Sequence, residues 1–235
     1  IEAVNGANLT INHELTEIGN VTIAANGTNE SGGLIKADGG TLIDNDLQGD
    51  ANYGTVEATN GGALTLNVTA VPGFAGGGGN FGIFEAILGG TLFINNGFDN
   101  HSGATIKADG AGSAVDFADD NLGGNNAGTI EAENQGLMSI DSFNIDNEGG
   151  TIAAYGAGSV VDLSNVGVGG GTLVTGDPGA NDAGIIDVAV AGGRDKTVFN
   201  GSAHGTLTVD AFVQVDAGAN LELVGTVDNQ GTIYV

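Results

Sequence analysis

Cysteine and tryptophan are absent from this chain of 235 residues, and proline occurs only twice. Without cysteine no disulfide can form, so stability must come from packing and backbone pairing. Lysine and arginine together number 4 against 29 acidic residues, a net charge of −25. A surface of that sign repels nucleic acid and anionic membranes, both of which are bound by cations that neutralise phosphate. It also keeps a β protein with adhesive edges dispersed. No apolar run approaches the ~20 residues of a membrane-spanning helix, so direct membrane insertion is not expected. No charged-then-apolar leader opens the sequence, which starts on a strand-like Ile1-Glu2-Ala3, as a segment of a longer array would.

Glycine is abundant, at 45 residues, yet 40% of the chain is hydrophobic. Glycine-rich chains without a collagen period are often disordered. Here short runs alternate Val, Ile, Leu or Ala with polar residues, the pattern of half-buried strands. One unit recurs, typified by Asn126-Ala127-Gly128-Thr129-Ile130-Glu131-Ala132. Its apolar positions fall at Ile1, Ile35, Val56, Phe84, Ile106, Ile130, Ile152, Ile186, Val213 and Ile233, with a spacing floor near 21 and a maximum of 34 residues. Recurrence on this scale marks a solenoid, with fixed strands and elastic loops.

Most units carry a second apolar pair after a glycine: Leu9/Ile11, Leu64/Leu66, Leu92/Ile94, Val115/Phe117, Met138/Ile140, Val161/Leu163 and Leu221/Leu223. Residues two apart on a strand share a face, so each pair points inward. Two such strands and a shorter third one, with Val21–Ala25 and Thr172–Thr175 as the clearest third strands, close one coil. The expected fold is all-β: a single-stranded parallel β-helix, or β-solenoid. It has about nine turns of roughly 21–34 residues with three strands per turn, and residues 1–235 form one domain. Leu42-Ile43-Asp44 breaks the second-strand pattern. The domain is expected to be part of a longer array or a subunit that stacks end to end on itself, because a bare solenoid edge is a template for pairing.

Asparagine precedes most units, including Asn52, Asn80, Asn126, Asn147 and Asn229. Corners need positive φ, which Gly supplies and Asn tolerates. Stacked Asn amides can also hydrogen-bond along the axis. Asn8, Asn20, Asn26, Asn29, Asn67, Asn100 and Asn200 begin Asn-x-Ser/Thr triplets, but such triplets arise readily in an Asn- and Thr-rich repeat, and the structural role is the better reading. The outward residue of the first strand reads Glu2, Lys36, Glu57, Glu85, Lys107, Glu131, Ala153, Asp187 and Gln214. Both lysines stand between glutamates, an arrangement that favours one register over a one-coil slip.

Units such as Asn126–Ala132 followed by Gly136-Leu137-Met138-Ser139-Ile140, or Gly89-Gly90-Thr91-Leu92-Phe93-Ile94-Asn95, resemble the repeats of large exported bacterial β-helix proteins. These are the filamentous-haemagglutinin-like and autotransporter-type adhesins. The resemblance implies a right-handed coil, export from a Gram-negative cell, and an extracellular or cell-surface role as stalk, adhesin or fibre. It also implies partners among host or matrix glycans and proteins.

β-Helices also host polysaccharide lyases and hydrolases. Asp116 and Asp162 occupy equivalent outward positions two turns apart, ~9–10 Å, near the carboxylate separation of inverting glycosidases. Asp119, Asp120 and Asp141 complete this acidic cluster. Ser139 intervenes, however, and the cations that would stabilise developing negative charge are remote, with Arg194 and Lys196 downstream. Solvated carboxylates are therefore the better reading, and no enzyme activity is expected. His13, His101 and His204 stand alone in sequence, without the paired ligands that would predict zinc. No cofactor is required, and calcium is the candidate ion. Asp44, Asp46 and Asp50 resemble the opening of a calcium loop that lacks its final Glu (Thr55 stands there), and Asp177 and Asp182 offer a second group of oxygens.

Overall fold

The computed structural model describes residues 2–4, 6–11, 28–29, 31–44, 51–67, 79–95, 97–118, 123–176, 183–190 and 196–235. Among these residues the chain winds through three sheets of ten, ten and nine strands, and each of these strands pairs with its counterparts in the neighbouring coils. One coil is Ile83–Ile87 in the first sheet, Thr91–Asn95 in the second and Phe98–Asn100 in the third. The next is Thr105–Asp109, Ala114–Ala118 and Gly124–Asn126. The pairing is parallel and in register: Phe84 lies beside Ile106, Ala86 beside Ala108, and Leu92 beside Val115. Three strands per coil is therefore the observed architecture. Among the described residues, no helix is long and apolar enough to cross a membrane.

The inward pairs build one continuous core. Ile35, Val56, Phe84, Ile106, Ile130 and Ile152 stack on the first sheet, with Ala37, Ala58, Ala86, Ala108, Ala132 and Ala154 beside the bend into the second. Leu64/Leu66, Leu92/Ile94, Val115/Phe117, Met138/Ile140 and Val161/Leu163 stack opposite them. Phe98, Phe117 and Phe143 meet where the second and third sheets converge, with the Phe98 and Phe117 ring centres 4.8 Å apart.

Alanine stands beside the bend because the chain turns there with almost no room. An added Cβ on Gly62 would lie 2.2 Å from the Ala37 carbonyl oxygen, and those on Gly90 and Gly136 would lie 2.1 Å from the oxygens of Ala58 and Ala108. Positive φ accounts for the preceding Gly61 and Gly89. Lack of space is what excludes every other residue at Gly62, Gly90 and Gly136. Where the bend is one residue longer, serine replaces the second glycine: Ser113 Oγ accepts a hydrogen bond from the Gly89 N–H at 3.0 Å, and Ser159 Oγ from that of Gln135 at 3.0 Å.

Four placements differ from the sequence expectation. Ile186, Val213 and Ile233 carry the repeat's apolar signature but belong to the second sheet, on strands Ile185–Val188, Phe212–Val215 and Thr232–Tyr234. The first sheet continues instead through Gly171–Thr175, Leu207–Asp210 and Val227–Asn229, so Thr172–Thr175 is not a third strand. Leu221/Leu223 is a third-sheet pair, on Leu221–Gly225. Asp44 lies in register with Leu66, so the irregular Leu42-Ile43-Asp44 keeps its place in the second sheet with an acid turned into the interior, 1% exposed. The other third-strand candidate, Val21–Ala25, lies outside the described residues.

Candidate functional site

Three columns run along the stack, and each is set by what parallel register brings side by side. The first is buried, at the corner where the third sheet turns into the first. Asn29 Nδ2 donates to Asn52 Oδ1 (2.7 Å), Asn52 to Asn80 (2.8 Å), Asn80 to Asn100 (2.9 Å), Asn100 to Asn126 (2.8 Å) and Asn126 to Asn147 (2.7 Å). Each amide also donates to a main-chain carbonyl of the following coil, as Asn100 does to Thr129 at 3.1 Å. The column ends at Asn147, whose Nδ2 donates to the Gly170 carbonyl at 3.2 Å. Asn29 and Asn100 belong to it, and their amide nitrogens are fully engaged at triplets that read as glycosylation signals. Asn229 does not belong to it: it is an exposed residue of the first sheet, beside Val209.

The second column is the charge ladder of the first sheet. Glu2 lies beside Lys36 and Lys36 beside Glu57, while Lys107 lies between Glu85 and Glu131. Lys36 Nζ reaches Glu57 at 3.3 Å and Lys107 Nζ reaches Glu85 at 3.3 Å. Each lysine takes a second acid from its own strand, Asp38 at 3.3 Å and Asp109 at 3.8 Å. These acids are held in turn by Asn60 and Asn134 amides, both at 2.8 Å. Desolvation works to lower the Lys36 and Lys107 pKa values, but their acidic partners outweigh it and raise both. The hydrogen bond from Asn60, with Lys36 beside it, holds Asp38 below the ordinary carboxylate range. Above Glu131 the column continues as Ala153 and Val174; Asp187 and Gln214 are not part of it.

Asp187 belongs to the third column, on the outward face of the second sheet. Asp116, Ser139, Asp162, Asp187 and Gln214 follow one another there. Asp116 and Asp162 are separated by Ser139, as the spacing implies, but the nearest acid to Asp162 is Asp187, directly beside it. The Oδ1 atoms of Asp162 and Asp187 are buried and accept no hydrogen bond. Desolvation raises the pKa of both. Asp187, Asp141 and Asp216 raise that of Asp162 further, and Asp216 that of Asp187. Desolvation and then Asp141 raise Asp116 in the same way. Asp119 and Asp120 lie outside the described residues.

A carboxyl group whose pKa is raised by folding takes up its proton at higher pH in the native chain than in the unfolded one, so stability rises as pH falls from neutral toward the ordinary carboxylate range. Asp38 acts in the opposite sense, losing its contribution only below that range. Unfolding free energies measured from pH ~7 to ~4.5 should therefore increase. Asp187→Asn should raise the pH 7 value by a few tenths to about 1 kcal/mol, the scale of a like-charge cross-strand pair, and flatten the increase. A flat profile in the unmodified chain would refute the pairing.

Two histidines that stand alone in sequence have partners in space. Tyr53, Phe81 and His101, each directly after a ladder asparagine, stack with ring centres 4.8 and 3.7 Å apart. His204 Nδ1 lies 2.9 Å from Asp146 Oδ2, and Glu148 stands beside them. The signal for the ring stack was available, since all three occupy one position of the repeat. Of the calcium candidates, Asp44 faces the interior, and Asp46, Asp50, Asp177 and Asp182 lie outside the described residues. No protein-family model, curated protein or solved structure matches the chain. Its kinship is thus stated at the level of architecture: a parallel β-solenoid of three sheets.

Proposed function

We propose that the chain is a non-catalytic structural or adhesive segment of an exported bacterial β-solenoid protein, working at the cell surface as a stalk, an adhesin or an extracellular fibre. The observation that carries this reading is the in-register stack itself, bound from within by the asparagine column and sheathed outside in carboxylates. Such a body offers length, stiffness and a dispersed surface, which are the properties a spacer or fibre needs. The acidic outward face of the second sheet supports the non-catalytic reading, because the charged groups that perturb Asp116 and Asp162 among the described residues are other carboxylates.

The partner we propose is first the same kind of coil. Leu221, Val227 and Ile233, inward side chains of residues 221–235, are only partly covered, and Leu223, in register with the buried Phe199, is 52% exposed. A further coil, of the same chain or of another copy, would complete their burial. Host or matrix glycans and proteins are the proposed partners along the sides.

Electron microscopy of the purified chain, combined with binding to glycan and matrix-protein arrays, tests this reading. Straight rods that lengthen by end-to-end stacking, or selective retention on an array, are expected. Depolymerisation of an acidic polysaccharide, lost in Asp116→Asn, would overturn it in favour of an enzyme. A melting temperature that falls sharply with a calcium chelator would favour a calcium-stiffened surface-layer module.

A further inference from the structure

We propose that Asp146, Glu148 and His204 form a binding site for one divalent transition-metal ion of the zinc class. The three come from two separate coils at the corner between the third and first sheets. Asp146 ends strand Asn144–Asp146, Glu148 sits in the turn that follows, and His204 lies in the bend after strand Thr197–Gly201. The third-sheet strand Gly167–Gly169 runs between them, pairing Asp146 with Gly169 and Gly169 with Asn200.

Across two coil spacings, ~9–10 Å of backbone, a histidine meets an aspartate only if the coil between is bare. It is bare: the segment reads Gly167-Val168-Gly169-Gly170-Gly171. The imidazole of His204 lies on Gly169, where a Cβ would come within 2.7 Å of its Cδ2. At Gly170 a Cβ would lie 2.0 Å from the His204 carbonyl oxygen. The glycine run is what seats the histidine.

The donors suit a transition metal. One ligand atom from each residue lies within 4.8 Å of the other two. His204 Nδ1 and Asp146 Oδ2 are 2.9 Å apart. Adjacent ligands on a metal with bonds of ~2.0–2.1 Å stand about 2.9–3.4 Å apart, so this pair already spans one edge of a coordination shell. The second oxygen of Asp146 is fixed by the Glu148 N–H, which donates to Oδ1 at 3.1 Å and turns Oδ2 toward the imidazole. An outer hydrogen bond that orients a metal-binding carboxylate has this form. The side chains of His204 and Asp146 are 39% and 34% exposed, so an ion and its remaining waters can enter. An imidazole with two carboxylates favours zinc-like ions over calcium, which takes oxygen ligands only. On binding, the metal takes the Nδ1 lone pair and the neutral imidazole carries its single N–H on Nε2.

The test is calorimetric titration of the intact chain with Zn2+ near neutral pH, with the His204 ring nitrogens followed by long-range 1H–15N NMR. One ion per chain should bind, with a shift of the Nδ1 resonance that Ca2+ does not reproduce. His204→Ala should abolish this event, and Glu148→Gln should weaken it roughly tenfold or more. Gly169→Ala, which removes no ligand but displaces the imidazole, should weaken it by a similar factor. Glu148 is exposed and His204 half-buried at the corner, while Gly169 is buried beneath the imidazole; circular dichroism verifies the coil, and Glu148→Gln serves if the glycine variant unfolds. Zinc affinity unchanged in His204→Ala, or an unmoved Nδ1 resonance at saturation, overturns the proposal.

Discussion

Asn100→Ala should lower unfolding free energy by about 3–5 kcal/mol, the range for breaking a buried polar network while opening a cavity. Asn100 is fully buried and sits mid-column. Its removal takes the acceptor from the Asn80 amide and the donor from Asn126 Oδ1, and leaves the Thr129 carbonyl short of a partner. The Asn80 and Asn126 amides are 1% exposed and cannot turn to water, so each adds a desolvation penalty to the loss. Asn229→Ala is the internal control: that residue is exposed and should change stability by no more than about 0.5 kcal/mol. Urea denaturation supplies the totals, and hydrogen exchange shows whether the loss is centred on the coils of Asn80 and Asn126. A cost below about 1 kcal/mol for Asn100→Ala would mean the amides are space-fillers with no cohesive role.

Gly136→Ala should cost about 3 kcal/mol or more, beyond the usual range for overpacking because the obstacle is backbone. The added methyl would sit 2.1 Å from the Ala108 carbonyl oxygen and 2.9 Å from that of Glu133. Ala108 is locked by its own ladder to Ala86 and Ala132 and cannot retreat. Gly61→Ala makes the contrast. That glycine has φ +72° and open space around the new methyl, so the expected loss is only the left-handed penalty of about 1–2 kcal/mol. If the two variants melt together, conformational freedom and not crowding explains both sites.

The coil and much of its register were legible because inward apolar pairs, corner glycines and asparagines recur together from Ile35 to Ile152. Beyond Ile152 the reading slipped by one sheet. Ile186-Asp187-Val188 and Val213-Gln214-Val215 satisfy the same apolar–polar–apolar rule, and that rule holds on all three faces alike. What separated the faces was the company each strand kept: the asparagine before it and the tight glycine after it. Asn147 is the last amide of the buried column, whereas Asn229, which precedes Ile233 in the same way, is an exposed first-sheet residue, so the marker misleads where the slip begins. That slip hid the Asp162–Asp187 pair, since Asp187 was placed on another face. Asp146 and His204 were illegible for a different reason: they meet across two coils, through a gap that only the glycines of the intervening strand explain.

In the three sheets, the described strands of each coil are bonded only to those of the coils above and below, and the Asp146–His204 contact reaches past one coil. Tension on the two chain ends therefore loads one interface at a time, and the outermost coil peels before the next feels strain. A coil of some 22 residues, such as the one from Phe84 to Ile106, releases about 70–80 Å of slack when it peels. A coiled stack of this kind yields in measured steps under a steady pull.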